Sequence, residues 1–335
     1  MAWAAFSRRL LLVLPTLFGV MVVIFVLLRV IPGDPVAMMI PPGASVADVG
    51  RLRHSYGLDQ PILAQFGQWC AAMLRGDFGR SISYRQGVAG LIAARLPATL
   101  ELATLASLLA LPLGAALAIA GVRLRGGAGE WAVDVVVAIG LAVPDFLWGL
   151  LLVLLLAVAW PVLPVSGRID PRLDIPFATH FYLAESLLTG RMAVARDILA
   201  HMILPALALA LPLAAGVARV LKASLADAER QDYAQLARAR GFGRMRVLLG
   251  EALPNALVPT VALTGVQITF LLGGTVLIER IFAYDGIGNM AISAVINRDL
   301  PLIQGLVLVF AVLFIAVNLA ADLLAASLDP RAADG

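Results

Sequence analysis

Thiols, imidazoles and charges are all scarce in this chain. One cysteine, Cys70, excludes an intrachain disulfide and any CxxC or zinc-thiolate spacing, and reads as a buried small apolar residue. The three histidines, His54, His180 and His201, are too far apart in sequence and in expected side of the membrane to share a metal ion. No GxSxG, HExxH or P-loop lysine motif occurs, so the chain offers no catalytic set, metal site, cofactor site or nucleotide site of its own. Charged residues make up 14% of the chain and hydrophobic ones 61%, with a mean hydropathy of +0.93. A soluble domain carries roughly 25% and 45–50% respectively. The composition marks an integral membrane protein. The net charge of +3 comes from basic residues scattered through loops, not from the stripe a nucleic-acid-binding surface needs.

A helix needs about 20 mostly apolar residues to cross a hydrocarbon core about 30 Å thick, at a rise of about 1.5 Å per residue. Six stretches qualify: residues 10–31, 98–122, 132–160, 198–221, 256–278 and 302–328. None alternates with the period of two of a barrel strand, and lipid tolerates only helices and closed barrels. The expected fold is an all-α bundle of six transmembrane helices. At the start, Ser7-Arg8-Arg9-Leu10-Leu11-Leu12 partly imitates a twin-arginine export signal. The apolar run from Leu10 to Leu28 exceeds the roughly 7–15 residues of a signal's apolar region, and Val30-Ile31-Pro32-Gly33-Asp34-Pro35 lacks an A-x-A cleavage site. It is read as a retained first span.

Short basic segments beside spans stay in the cytoplasm. Arg8 and Arg9, then Arg123 and Arg125, then Lys222, Arg230, Arg238, Arg240, Arg244 and Arg246 all fall on one side, which places both termini in the cytoplasm. Arg51, Arg53, Arg75, Arg80 and Arg85 lie opposite, in a long segment where the rule has little force. That segment, residues 32–97, is too polar to span and is read as an extracytoplasmic subdomain. Ser45 with Asp48 forms a capping box for a short helix, and Gly57-Leu58-Asp59-Gln60-Pro61 a turn before an amphipathic helix ending near Leu74. Residues 161–197 and 280–301 are expected as further external loops, the latter short and containing Tyr284-Asp285-Gly286-Ile287-Gly288.

Between the fourth and fifth spans, residues 232–259 read as a water-compatible helical hairpin. Its first half is alanine-rich, and small residues let a helix lie close in a partner's groove. Gly241 can take the left-handed conformation that ends a helix, Gly243 lets the chain reverse, and a second helix reaches Leu253-Pro254. The hairpin resembles the loop by which membrane subunits of ABC importers dock onto their ATPases, whose pattern is Glu-Ala-Ala, three residues, Gly, nine residues, Ile, one residue, Leu-Pro. Gly241, Leu253 and Pro254 fall in register, while Gln235-Leu236-Ala237 stands for Glu-Ala-Ala and Glu251 for Ile.

The resemblance runs along nearly the whole chain. Arg29-Val30-Ile31-Pro32-Gly33-Asp34-Pro35, Tyr56-Gly57-Leu58-Asp59-Gln60-Pro61, Gly76-Asp77-Phe78-Gly79-Arg80-Ser81 and Leu96-Pro97-Ala98-Thr99-Leu100-Glu101-Leu102 come first. Leu271-Leu272-Gly273-Gly274, Glu279 with Gly286-Ile287-Gly288, Asn297-Arg298-Asp299 before Pro301, and Asn318 leading to Asp322 and Leu328-Asp329-Pro330-Arg331 follow in order. On these stretches the chain resembles the inner-membrane permease family of dipeptide, oligopeptide and nickel importers. The resemblance implies a bacterial or archaeal cytoplasmic-membrane location and a heterodimer with a second, homologous permease. It also implies two ATPase subunits carrying ATP and magnesium, an external solute-binding protein, and a small solute such as a di- or oligopeptide. The ATPase-coupling residues it implies are Gln235, Ala237, Gly241, Leu253 and Pro254. The domains are then residues 1–31 (tail and first span), 32–97 (extracytoplasmic subdomain), 98–330 (five helices, with the coupling loop at 222–254) and 331–335 (tail).

Ionisable groups inside spans are functional candidates, because a charge near the bilayer centre costs roughly 2.5–3.5 kcal/mol on insertion scales. Asp145 follows Pro144 inside the third span, where the proline can kink the helix. Its carboxylate either faces a water-filled path and meets a substrate amine or pairs with a polar group of the bundle. Glu101 and Asp322 lie near span ends, where interfacial solvation accounts for them. Gln267 and Asn318 read as interhelical hydrogen-bonding groups, and Gly273-Gly274 as a close contact or a point of local unwinding. Asp145, Gln267, Gly273 and Gly274 form the substrate-pathway set. A rival function is an ATP-independent, proton-coupled secondary carrier working through Asp145; the absence of a convincing internal repeat weakens it.

Overall fold

Most of each stretch that hydropathy marks as a span is helical among the described residues, and the differences fall mainly at prolines and glycines. The computed structural model describes residues 2–30, 60–173 and 175–328. The Ser45–Asp48 capping box, most of the Gly57–Pro61 turn and the 331–335 tail lie outside these residues.

The helices run in order α1 (Ala2–Val30), α2 (Ile62–Leu74), α3 (Val88–Arg123), α4 (Ala128–Ala142), α5 (Asp145–Val153), α6 (Tyr182–Leu188), α7 (Met192–Ala228), α8 (Asp232–Ala239), α9 (Leu253–Ile281), α10 (Ile287–Ile296) and α11 (Leu300–Leu328). Among the described residues four helices are long and apolar enough to cross a membrane, the stretches Val88–Arg123, Met192–Ala228, Arg244–Ile281 and Leu300–Ala325. Counting the bent pair α4–α5 as one span makes five. No strand occurs among the described residues; Arg80 and Gly87 make an isolated bridge.

The third expected span is broken rather than kinked. Its two halves meet at 102°. Pro144 has no N–H to continue the ladder, and a proline drives the residue before it out of the helical region. Val143 accordingly sits at φ −89°, ψ 119°. A wide π-type turn, Leu154–Ala159, then extends α5. By contrast, Pro97, Pro112, Pro205 and Pro212 are absorbed inside α3 and α7. The two segments expected as external loops both hold short helices, α6 and α10.

The chain divides into two compact units. The first contains residues 96–289 and 314–335, and α7 is its axis: 61% of its apolar window is buried, against 33% for α3. Small side chains make that possible. Ala206, Ala208, Ala210, Ala214, Ala215, Gly216 and Ala218 are all buried, and α4, α5, α6 and α9 pack around them. Where α3 meets α7, a Cβ on Gly114 would strike the Ala214 carbonyl oxygen and Val217. The second unit contains residues 3–95 and 290–313. In it Phe66 of α2 packs edge-on against Phe18 and Phe25 of α1 at 5.9 and 5.0 Å, so the amphipathic helix lies along α1. Cys70 of α2 is half-buried, not buried as expected.

Candidate functional site

The hairpin between α7 and α9 is built around a small core of its own. Ala234 and Ala237 of α8 are buried against Val247, with Tyr233 and Phe242 packed beside them. Gly241 takes φ +82°, which an L side chain adopts only with strain, and its N–H donates to Arg238 O at 2.9 Å while Phe242 N–H reaches Ala237 O at 3.2 Å. Gly243 is extended, and Arg246 stacks over the Phe242 ring at 4.1 Å. The turn Arg244–Arg246 and the π-type turn Val247–Ala252 lead directly into α9. Pro254 is exposed where the π-type turn passes into α9, and Leu253 packs on the cluster of Leu221, Leu225 and Leu248.

The alanine face is therefore spent on closing the hairpin. Outward stand Gln235, Leu236, Ala239, Arg240, Met245 and Leu249, with Leu236 53% exposed. Gln235 Nε2 donates to Arg230 O at 2.9 Å and stays on the surface. The hairpin is also tied to the end of α3. Buried Glu229 meets Arg238 at 3.3 Å and Arg125 at 3.8 Å, and Arg244 donates to Val122 O at 2.8 Å. Nearby, Lys222 of α7 bridges Glu130 and Asp134 of α4 at 2.9 and 2.7 Å.

Halfway along the bundle a cavity of about 240 Å³ opens between α5, α7 and α9, lined by Asp145, Leu209, Pro212, Leu213, Gln267, Phe270 and Leu271. Asp145 begins α5, and its Oδ1 accepts from Phe146 N–H at 2.8 Å. The helix break places this carboxylate beside a positive helix end, which offsets part of the cost of a charge at this depth. Gln267 stands halfway along α9, and among the described residues its amide has no hydrogen-bond partner. Two glycines leave room for these groups: a Cβ on Gly274 would collide with Asp145 Oδ2 and one on Gly216 with the Gln267 amide. Gly273-Gly274 is thus a close contact within an unbroken helix, and Gly273 itself is exposed. Asn318 bonds within its own helix, donating to Phe314 O at 2.9 Å, instead of across helices.

At the end of the first unit away from the hairpin, side chains distant in sequence clasp one another. Glu101 is not solvated at an interface as expected. It and Arg168 are each 7% exposed and 2.7 Å apart. Glu101 Oε1 accepts from Leu183 and Ala184 N–H at 2.9 and 3.1 Å, while Arg168 donates to His180 O and covers the Tyr182 ring at 3.9 Å. Glu279, fully buried near the end of α9, accepts from Thr99 Oγ1 at 2.6 Å and Asn289 N–H at 3.0 Å, and Ile287 N–H donates to Thr99 Oγ1. A Cβ on Gly286 would meet the Glu279 carboxyl, and one on Gly288 the Val276 backbone. Tyr284 is buried beside them, and burial pushes its hydroxyl well above the usual phenol range. In the second unit, buried Asp299 accepts from Ser81 Oγ at 2.5 Å and Ser83 N–H at 2.9 Å, holding the loop after α2 to the start of α11.

The stretches picked out as separate matches in the sequence thus meet in pairs: Ser81 of Gly76–Ser81 with Asp299, and Thr99 of Leu96–Leu102 with Glu279 and Gly286–Gly288. Arg168 and Glu229 carried no signal in sequence, since each stands in a polar loop among other charges.

Two family descriptions match the chain. Residues 110–334 fit the binding-protein-dependent transport system inner membrane component, and residues 4–103 the N-terminal part of such membrane components. The chain is 38% identical to a di/tripeptide transport system permease protein of Pseudomonas aeruginosa, over 97% of both chains. It is 36% identical to a dipeptide transport system permease protein of Escherichia coli K12 and 35% identical to an oligopeptide transport system permease protein of Bacillus subtilis, again over 97% of each. A helical membrane chain with a self-packed hairpin at one end, matched this far along its length, belongs to the binding-protein-dependent transport system inner membrane component family.

Proposed function

We propose that this chain is a translocation subunit of an ATP-driven importer of short peptides. The observation that carries the reading is the hairpin, a compact element with an outward face at Gln235, Leu236 and Ala239, joined to the bundle through α9 and the Glu229 and Arg244 contacts. Its outward face receives an ATPase subunit, with Gly241 holding the turn and Leu253-Pro254 carrying displacement into α9. Peptide as substrate class is supported by the di/tripeptide, dipeptide and oligopeptide transport systems to which the relatives above belong. The family's dependence on binding proteins speaks against the proton-coupled carrier.

In this reading α1 supplies the sixth span, both termini and the hairpin are cytoplasmic, and residues 32–97 face the delivery side of the inner membrane. A second permease covers the exposed apolar face of α4 and α5, where Val136, Ile139, Leu147 and Leu150 are uncovered. Two ATPase subunits hold ATP and magnesium, and a solute-binding protein delivers the peptide to the path at Asp145, Gln267, Gly273 and Gly274. Only different ATPase contacts in two states can switch the spans between outward and inward access.

The test is reconstitution of the chain with its partner permease, ATPases and binding protein in vesicles. Peptide uptake should require ATP and all partners. Uptake driven by a proton gradient without the ATPases would overturn the reading.

A further inference from the structure

The cavity between α5, α7 and α9 holds a carboxylate that this chain satisfies at one oxygen only, and an amide that it does not satisfy at all. Asp145 Oδ2 accepts no hydrogen bond among the described residues, and the Gln267 amide neither donates nor accepts one there. No lysine, arginine or histidine lines the space; its remaining walls are Leu209, Pro212, Leu213, Phe270 and Leu271. Both side chains are only partly buried and the cavity is open on one side, so Asp145 Oδ2 and the Gln267 amide can be reached by a solute, and a charge within a span is costly unless it meets a partner. Gly216 and Gly274 keep the neighbouring helices clear of both groups, since any side chain at either position would collide with them.

We infer that Asp145 and Gln267 form a transit subsite for the amino-terminal end of a peptide. The inference rests on the reading of the chain as a peptide-passing subunit and deepens it. The substrate's ammonium pairs with Asp145 Oδ2, supplying the cation that this chain omits. The Gln267 amide offers a donor to the first peptide carbonyl and an acceptor to the first peptide N–H. The leucines and Phe270 contact the first side chain without selecting among apolar ones. Size sets the extent of recognition. At about 240 Å³ the space falls below the roughly 300 Å³ at which pockets for whole drug-sized ligands begin. It takes one terminus and its side chain, and the rest of the peptide extends toward the partner permease. Peptides of different length then pass through the same site, provided that their amino terminus is free.

The experiment is cysteine protection in the reconstituted complex without binding protein, so that the binding protein's own selectivity does not intervene. In a Cys70→Ser background, Phe270→Cys, at an exposed position of the cavity wall, is labelled with a small methanethiosulfonate reagent in the presence of Ala-Ala or N-acetyl-Ala-Ala. At a concentration ten times its dissociation constant, Ala-Ala should slow labelling about tenfold by simple occupancy, and the acetylated peptide should leave the rate unchanged. Adding Asp145→Asn should abolish the protection, whereas Asp145→Glu should retain part of it. Equal protection by both peptides, none by either, undiminished protection in Asp145→Asn, or a thiol that never reacts would each overturn the subsite. ATP-driven uptake by the wild-type complex is measured in parallel. Uptake without amine-dependent protection sinks the subsite alone, while absent uptake sinks the importer reading.

Discussion

Removing the guanidinium of Arg168 should destabilise the protein far more than its place in an apparent loop suggests. Arg168 and Glu101 are both 7% exposed and 2.7 Å apart. Taking one member from a buried pair typically costs about 3–5 kcal/mol, because the other is left buried without its counter-charge. In Arg168→Met the Glu101 carboxylate keeps the Leu183 and Ala184 N–H groups, so the loss should fall near the low end, about 3 kcal/mol. In Glu101→Gln the guanidinium keeps His180 O and the Tyr182 ring, and a loss of about 2–3 kcal/mol follows from hydrogen bonds to charged groups. The double variant has no stranded charge and should lose less than the sum of the two, with a coupling of at least about 2 kcal/mol. The assay is equilibrium unfolding in mixed micelles for all four proteins. Losses additive within about 0.5 kcal/mol would refute the argument that this pair locks the segment between α5 and α7.

Three further outcomes follow from contacts at the other sites. Gly241→Val should weaken ATPase docking or uncouple hydrolysis from uptake, at a conformational cost of about 1–2 kcal/mol for a left-handed residue; wild-type docking and coupling in vesicles would remove the hairpin from the mechanism. Ala237→Arg should break the packing on Val247 and raise protease sensitivity within residues 232–250, whereas Leu236→Arg should leave the hairpin intact and reduce only ATPase binding in a pull-down. Asp299→Ala strands Ser81 Oγ and Ser83 N–H and should cost about 1–3 kcal/mol, seen as faster hydrogen exchange at Ser83; unchanged exchange there would discount the clasp.

Hydropathy located the long apolar helices, four or, with the bent pair, five among the described residues, because each depends on local composition, and the turn at Gly241 was visible because a left-handed residue favours glycine there. The break after Val143 was only half visible. Pro144 announced an interruption, but whether a proline kinks a helix or ends it depends on what packs on either side. Pro205 and Pro212 sit inside an unbroken α7, held among buried alanines. Glu101 looked interfacial because hydropathy began the span at residue 98, whereas α3 begins at Val88 and its charge partner stands 67 positions away. Ala237 misled in another way: small residues mark a close contact without saying whether the partner is another protein or the next turn of the same hairpin. The helix α10 was hidden because its ten residues are too few for a span and carry no cap signal strong enough to stand out from a loop.

The near-contact of α3 with α7 at Gly114 has a mechanical meaning. With backbone against side chain and no room for a Cβ, it is the point least free to slide, so a rod-like α3 would turn about it as a lever about a fulcrum. At about 1.5 Å per residue the arm from Gly114 to Thr99 is about 22 Å and the arm to Arg123 about 14 Å. We put this as a hypothesis that spin-label distances on both arms would sink if they changed together in the same sense. On this geometry a 1 Å push at the hairpin end arrives at the Thr99 clasp as a swing of about 1.7 Å in the opposite direction, so the longer arm trades force for travel.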